Sequence, residues 1–431
     1  MLVEFSVENY RSIKEKVTFS MLASDDTEHE DTNVTTLPDG KRLLKSAVIY
    51  GANASGKSNL MLAMDFMSVI VFRSRLLQPD EPIEGVIPFK LDEGCKNKPS
   101  KFDVIFYFGA VKYAYGFSAT NREILEEYLY SFPNGSEEPQ LLFLRDTTAE
   151  KEYQFTDDGD KVLLEHICQF NAKNKLYLST AVLLNYKKFI GVYNWLCDFY
   201  LYNFNAPYNI LRNGFFDKNA NAEKAQSYIK KVVQWVKEID VGITNVKIKE
   251  NRDLFVDDYS SNNDNWDKYI KILNNIETTH EVFNPDGTIS EIDFKFFSDE
   301  SAGTKNFFSV ALDAAKKMVY GGVFLADEFN TNLHTLLVKY IVNLFNSPNK
   351  NPLHSQLIFT THDTNLLDLD LLRRDQIWFT EKNPDTGATE IYSLSDFEID
   401  ENGKGREANI EKGYLLGIYG AIPFIKGDTN G

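Results

Sequence analysis

Apolar residues alternate with polar ones in LVEFSVENY and again in EKVTFSMLA, which predicts two strands joined by a turn at Arg11-Ser12. Residues 24–42 are acidic and polar and close on Pro38-Asp39-Gly40, the pattern of a surface loop. A short apolar strand, Ala47–Tyr50, then leads through a Gly-rich segment into a helical run from Asn59 to about Leu77. Residues 86–120 return to a strand pattern, with two aromatic-rich strands around Gly109, and 124–156 continue it across a break at PNGSEEP. The N-terminal third therefore reads as a β-rich lobe around one strand–loop–helix unit.

From 160 to 202 the apolar residues recur at helical spacing. Residues 222–239 place Ala225, Tyr228, Ile229, Val232, Val236 and Ile239 on one helix face. Residues 256–266 form a polar loop near the tip of this segment. No heptad repeat is sustained, so a long coiled-coil arm is not expected. Tyr193, Trp195, Phe199, Tyr200 and Tyr202 read as core rather than as a base-stacking surface. After 280 the pattern becomes α/β. A hairpin turns at Pro285-Asp286-Gly287, a helix starts after Glu300, and a helix follows VFLADE. The buried strand LIFTTHD comes next, and the strand pair DQIWFTEKN and TEIYSLSDF closes the pattern. The expected division is 1–158, 159–279 (mainly helical insertion) and 280–431, with the two ends making one composite α/β head.

Charge and cysteine content narrow the function. Of 431 residues, 63 are Asp or Glu and 46 are Lys or Arg, a net charge of −17 that opposes general binding to polyanions. The three cysteines are widely spaced and fit a reducing compartment rather than a disulfide or zinc framework. No run approaches the ~18 apolar residues of a membrane span, and the N-terminus lacks a basic signal region. A cytoplasmic protein with no membrane partner is the expectation.

Four segments carry candidate chemistry. Gly51-Ala-Asn-Ala-Ser-Gly-Lys-Ser58 matches the phosphate-cradling pattern GxxxxGK[ST], after a strand and before a helix. The glycines allow the backbone to curl, so that N–H groups of Asn53, Ala54, Ser55, Gly56 and Lys57 point at one phosphate cluster. Lys57 reaches the β- and γ-phosphates, and the Ser58 hydroxyl coordinates Mg²⁺. In VFLADE, Asp327 holds Mg²⁺ through water and Glu328 deprotonates the attacking water. In LIFTTHD, His362 hydrogen-bonds a γ-phosphate. In ESAGT, either Ser301 or Thr304 caps the helix that follows, or this helix start covers a phosphate held by a second copy. Both readings are open at this level.

The order GANASGKSN, ESAGT, VFLADE, TTHD resembles that of ABC/SMC-type ATPase heads, RecF-like and OLD-like proteins included, and the opening FSVENYRS is similar to their first strands. DEFNTNLH, DQIWFTEKN and YGAIPFI resemble a bacterial group of compact AAA/ABC-like ATPases that includes abortive-infection and other phage-defence members. The resemblance implies a P-loop ATPase head that binds ATP and Mg²⁺ and works as a homodimer or a homo-oligomer of dimers. It further implies Asn9, Arg11 and Asn59 near the nucleotide, a signature acting across the dimer at Ser301, Gly303 and Thr304, and a dimer-contacting loop at Asn332 and His334. ESAGT differs from the LSGGQ of transporters, which argues against transport. No nuclease constellation is present, so an effector such as a nuclease would be a separate polypeptide. The alternative is a RecF-like, ATP-dependent DNA-binding protein in repair or maintenance, which the acidic balance and short insertion disfavour.

Overall fold

In the computed structural model, residues 1–156, 159–202, 222–240, 242–248, 276–331, 333–397 and 410–422 are described. β1 (Leu2–Glu8) and β2 (Val17–Ser20) pair antiparallel, and the turn between them holds Asn9 and Arg11 at positive φ. Residues 24–42 are more than a loop. Glu30–Asn33 is a helical turn, and β3 (Val34–Thr36) pairs with β4 (Arg42–Leu44). Their polar composition conceals this because several polar groups here are tied to partners within the fold. Arg42 Nε donates to Glu30, while Arg373 donates to Asp375 and to the carbonyls of Ser24 and Glu28.

β5 (Ser46–Gly51) is buried at every position and feeds the helix Lys57–Ser74. The strand pattern expected from residue 86 begins only at Ser100; the preceding stretch contains one tight turn, Glu93–Cys95. The next five strands are β6 (Ser100–Phe108), β7 (Val111–Ala119), β8 (Ile124–Phe132), β9 (Gln140–Asp146) and β10 (Tyr153–Phe155). They form an antiparallel meander that β1 and β2 extend, in the order β10-β9-β8-β7-β6-β1-β2.

Helices Lys161–Cys168, Tyr177–Leu183 and Lys187–Cys197 follow. The helical reading to 202 needs correction at its end, because Tyr200–Tyr202 is a strand, β11, parallel to β15 (Val323–Ala326). Three residues are too few to show a period, and an aromatic run next to an open buried edge pairs with it. The core assignment of the aromatic residues holds for those whose side chains are described: Tyr193, Phe199 and Tyr202 are buried, and Trp195 stacks on Phe106 at 3.8 Å between centroids. The helix Ala222–Ile239 buries Tyr228, Val232, Trp235 and Val236. The expected loop at 256–266 lies outside the described residues. β12 (Ile243–Ile248), β13 (Ile276–Phe283) and β14 (Ile289–Lys295) form a small antiparallel sheet.

The remaining elements are the helices Ala302–Tyr320, Thr335–Asn346 and Ile410–Leu415 and the strands β16 (Gln356–Thr360), β17 (Ile377–Lys382) and β18 (Thr389–Ser393). They complete a second sheet, ordered β11-β15-β16-β5-β17-β18 and parallel except for β18. β5 thus lies between two strands from the far end of the chain. Its residues alternate between two cores: Ala47 and Ile49 join the one shared with the meander, and Val48 and Tyr50 join the other. Burial on both faces explains why these strands are continuous apolar runs. No helix among the described residues is long and apolar enough to cross a membrane.

Candidate nucleotide-binding site

The P-loop joins the C-terminal end of β5 to the helix Lys57–Ser74. Gly51 has φ 154 and Gly56 has φ 117. A Cβ on Gly51 would overlap the Thr380 carbonyl oxygen, and one on Gly56 would overlap the Thr389 side chain. The β17–β18 hairpin therefore walls the back of the loop, and only glycine fits at both positions. Ser55 Oγ lies 2.6 Å from Thr380 Oγ1, and Thr389 Oγ1 donates to the Ser55 carbonyl at 2.8 Å. Asn53 and Ala54 face solvent, with Ala54 at φ 64. The helix that follows has no side-chain cap, so its first N–H groups remain available to an anion.

Lys57 is buried, and its ammonium donates to the carbonyls of Gly51 (2.8 Å) and Ala52 (3.1 Å), inside its own loop. Burial lowers its pKa to about 8, against the raising influence of Asp327 and Glu328. Those acids end β15, two strands away across β16. The Asp327 N–H donates to the Tyr202 carbonyl, and Asp327 Oδ1 accepts from Thr360 Oγ1 at 2.6 Å. Glu328 is exposed, at φ 50, a backbone conformation seldom adopted by residues other than glycine. His362, just beyond β16, reaches solvent at the mouth of the loop. Partial burial and then the Lys57 charge hold its pKa below 6.5, while Glu328 and Asp327 oppose the shift. Lys57, Asp327, Glu328 and His362 therefore share one electrostatic environment at the C-terminal end of the sheet, where open α/β sheets bind ligands.

Other predicted residues fall elsewhere. Asn9 Nδ2 donates to the carbonyls of Cys95, Lys98 and Pro99, and its Oδ1 accepts from Phe89 N. Its hydrogen-bonding capacity braces the 89–99 segment. Arg11 turns onto Tyr10, with Nε 3.2 Å from the phenol oxygen and the guanidinium over the ring. Asn59 Nδ2 donates to Ser12 Oγ at 2.7 Å. Ser301 caps the helix Ala302–Tyr320 by accepting from Thr304 N, and Thr304 Oγ1 donates to Asp240. Ser301 and Gly303 are exposed. No hydrogen bond or ion pair among the described residues joins Ser301, Gly303 or Thr304 to the P-loop. His334 is exposed and caps the helix Thr335–Asn346. Asn332 lies outside the described residues.

Sequence reasoning missed Thr360, Thr380, Thr389, Ser12 and Asn330. Asn330 Oδ1 accepts from Thr361 Oγ1 at 2.9 Å and from His362 N at 3.4 Å, tying the acidic loop to the histidine loop. The Thr doublet before His362 was the one visible signal. For a divalent cation, Ser58 Oγ and Asp327 Oδ2 are oxygen donors without a hydrogen bond among the described residues. That chemistry fits Mg²⁺.

A family model described as "AAA domain, putative AbiEii toxin, Type IV TA system" matches residues 46–368. No curated protein matches the sequence. Among solved structures, the chain is similar to the SMC head domain from Thermotoga maritima, at 13% identity and TM-score 0.41, covering 91% of this chain and 98% of that one. It is also similar to an SMC head bound to the C-winged helix domain of ScpA, at 12% identity and TM-score 0.39, covering 91% and 97%. A third similar structure is an SMC head with an extended coiled coil, bound to the C-terminal domain of ScpA derived from Pyrococcus furiosus, at 12% identity and TM-score 0.37, covering 94% and 98%.

Proposed function

The chain belongs to the AAA-domain family of that model, an ATPase family, and we propose that it works as an ATP-driven dimeric switch governing a separately encoded effector. The observation that carries the reading is the convergence of Lys57, Asp327, Glu328 and His362 on one P-loop mouth. The loop amides and the uncapped helix start bind the β- and γ-phosphates. Lys57 exchanges its loop carbonyls for phosphate oxygens, which suits an ammonium held in a low-dielectric pocket. Ser58 and Asp327 would hold Mg²⁺, which would supply charge neutralisation to the phosphates. Glu328, exposed at the mouth, accepts the proton of the attacking water. Neutral His362 donates a hydrogen bond to the γ-phosphate.

Glu328 and His362 face solvent, and the exposed Ser301–Gly303 edge has no partner on its own P-loop among the described residues. Both facts favour a second copy that closes the site. The family description, with its AbiEii toxin and Type IV TA system terms, favours a defence role over DNA maintenance. The test mixes two inactive proteins, Lys57→Ala and Ser301→Arg. In a shared-site dimer, about half of all pairs are heterodimers and each of these carries one intact site of two, so about a quarter of wild-type turnover returns. Turnover in either variant alone, or none on mixing, refutes the arrangement. Glu328→Gln is expected to keep ATP affinity, lose about 10²–10⁴-fold in turnover, and accumulate as a dimer in size-exclusion chromatography.

A further inference from the structure

Thr360 ends β16 and is fully buried. A hydroxyl has one proton to give and lone pairs to receive. Both functions of Thr360 serve the adjacent strand end. Oγ1 donates to Asp327 Oδ1 at 2.6 Å and accepts the Glu328 N–H at 2.7 Å. The Thr360 carbonyl accepts the Phe329 N–H at 2.9 Å. Three successive residues of the acidic loop therefore hang on one residue of the next strand.

Two consequences follow from this geometry. The hydrogen bond to Oδ1 sets the rotation of the Asp327 carboxylate, and Oδ2 has no hydrogen bond among the described residues. The bond to the Glu328 N–H holds that residue at φ 50, where an L-residue is sterically disfavoured. We propose that Thr360 is a positioning residue for ATP hydrolysis. Its hydroxyl fixes both the carboxylate oxygen that Asp327 offers to a divalent cation and the backbone from which Glu328 reaches water. This inference rests on the nucleotide-site reading above and adds to it a residue that touches neither substrate nor metal. Valine has the same shape without the hydroxyl; it leaves the Glu328 N–H unpaired and lets Asp327 rotate. Serine keeps both hydrogen bonds.

The experiment compares wild type, Thr360→Val and Thr360→Ser in the full chain. Nucleotide affinity is measured in EDTA, Mn²⁺ affinity by electron paramagnetic resonance with a non-hydrolysable ATP analogue, and turnover against Mg²⁺ concentration. Thr360→Val is expected to keep metal-free nucleotide affinity within about 2-fold and to weaken Mn²⁺ binding by about 10–100-fold, with a matching rise in the Mg²⁺ needed for turnover. Thr360→Ser is expected to stay within about 3-fold of wild type throughout. Wild-type Mn²⁺ affinity in Thr360→Val overturns the proposal. So does a Thr360→Ser protein as impaired as Thr360→Val, since packing would then be the cause. Should circular dichroism show Thr360→Val unfolded, Thr360→Ala carries the same comparison. A wild-type protein that binds no nucleotide refutes the nucleotide site itself; a wild type that binds while Thr360→Val behaves identically refutes only the role of Thr360.

Discussion

Lys57 stores a measurable electrostatic strain. Its ammonium is buried against carbonyls and its pKa falls to about 8 from 10.5. The shift corresponds to roughly 3 kcal/mol disfavouring the charged form. Because the unfolded chain binds the proton more tightly, the cost is fully present at pH 7. Stability of the nucleotide-free protein then rises with pH from about 8 to 10.5. A triphosphate reverses the balance by restoring a counter-charge. At pH 8.5 a group of pKa about 8 is charged in about a quarter of molecules, so binding that fixes the ammonium takes up about 0.75 proton. At pH 7 the uptake falls to about 0.1. Isothermal titration with a non-hydrolysable ATP analogue and excess Mg²⁺, in two buffers of different ionisation enthalpy, reads this number directly. Equal uptake at the two pH values, or proton release at pH 8.5, would refute the assignment of Lys57 as the phosphate-binding cation.

Other perturbations probe separate parts of the molecule. Gly56→Ala is expected to abolish nucleotide binding in a filter assay because the new methyl overlaps Thr389; retained affinity would mean that the hairpin does not wall the loop. The acid limb of the pH–rate profile should lie below pH 6.5, since burial and Lys57 keep His362 neutral, and it should vanish in His362→Ala. Glu127 is buried, and its pKa is pushed up to about 7 although it accepts from Tyr115 OH and from the Tyr177 and Leu178 N–H groups. The folded state holds that proton longer, so stability declines between pH 4.5 and about 7, by up to roughly 3 kcal/mol from this group. Thermal melts of Glu127→Gln should lose that slope; an unchanged slope assigns it to other groups.

The parts of the site that the sequence disclosed are those in which one short segment carries the whole signal. Gly51 to Ser58 needs only its own backbone and the strand before it. The acids of VFLADE and the histidine of TTHD stand where buried strands run out. What stayed hidden depends on residues meeting across the fold. Thr389 and Thr380 back the P-loop from the far end of the chain, and nothing near either residue marks it as a neighbour of Ser55. Thr360 is an ordinary strand residue until β15 lies beside it. The bracing of the 89–99 segment by Asn9 was equally invisible, since its partners lie some ninety residues away in sequence. β11 eluded the helical pattern because its partner strand lies more than a hundred residues away in sequence.

The interleaving of β5 between β16 and β17 also bears on how the protein is made. Until Glu328 is made the nascent GxxxxGKS segment has no acids beside it, and until Thr389 is made the wall behind it is incomplete. Synthesis must pass β18 before the sheet can close. A chain released early by a stalled or cleaved message therefore lacks the Thr389 contact that backs its P-loop.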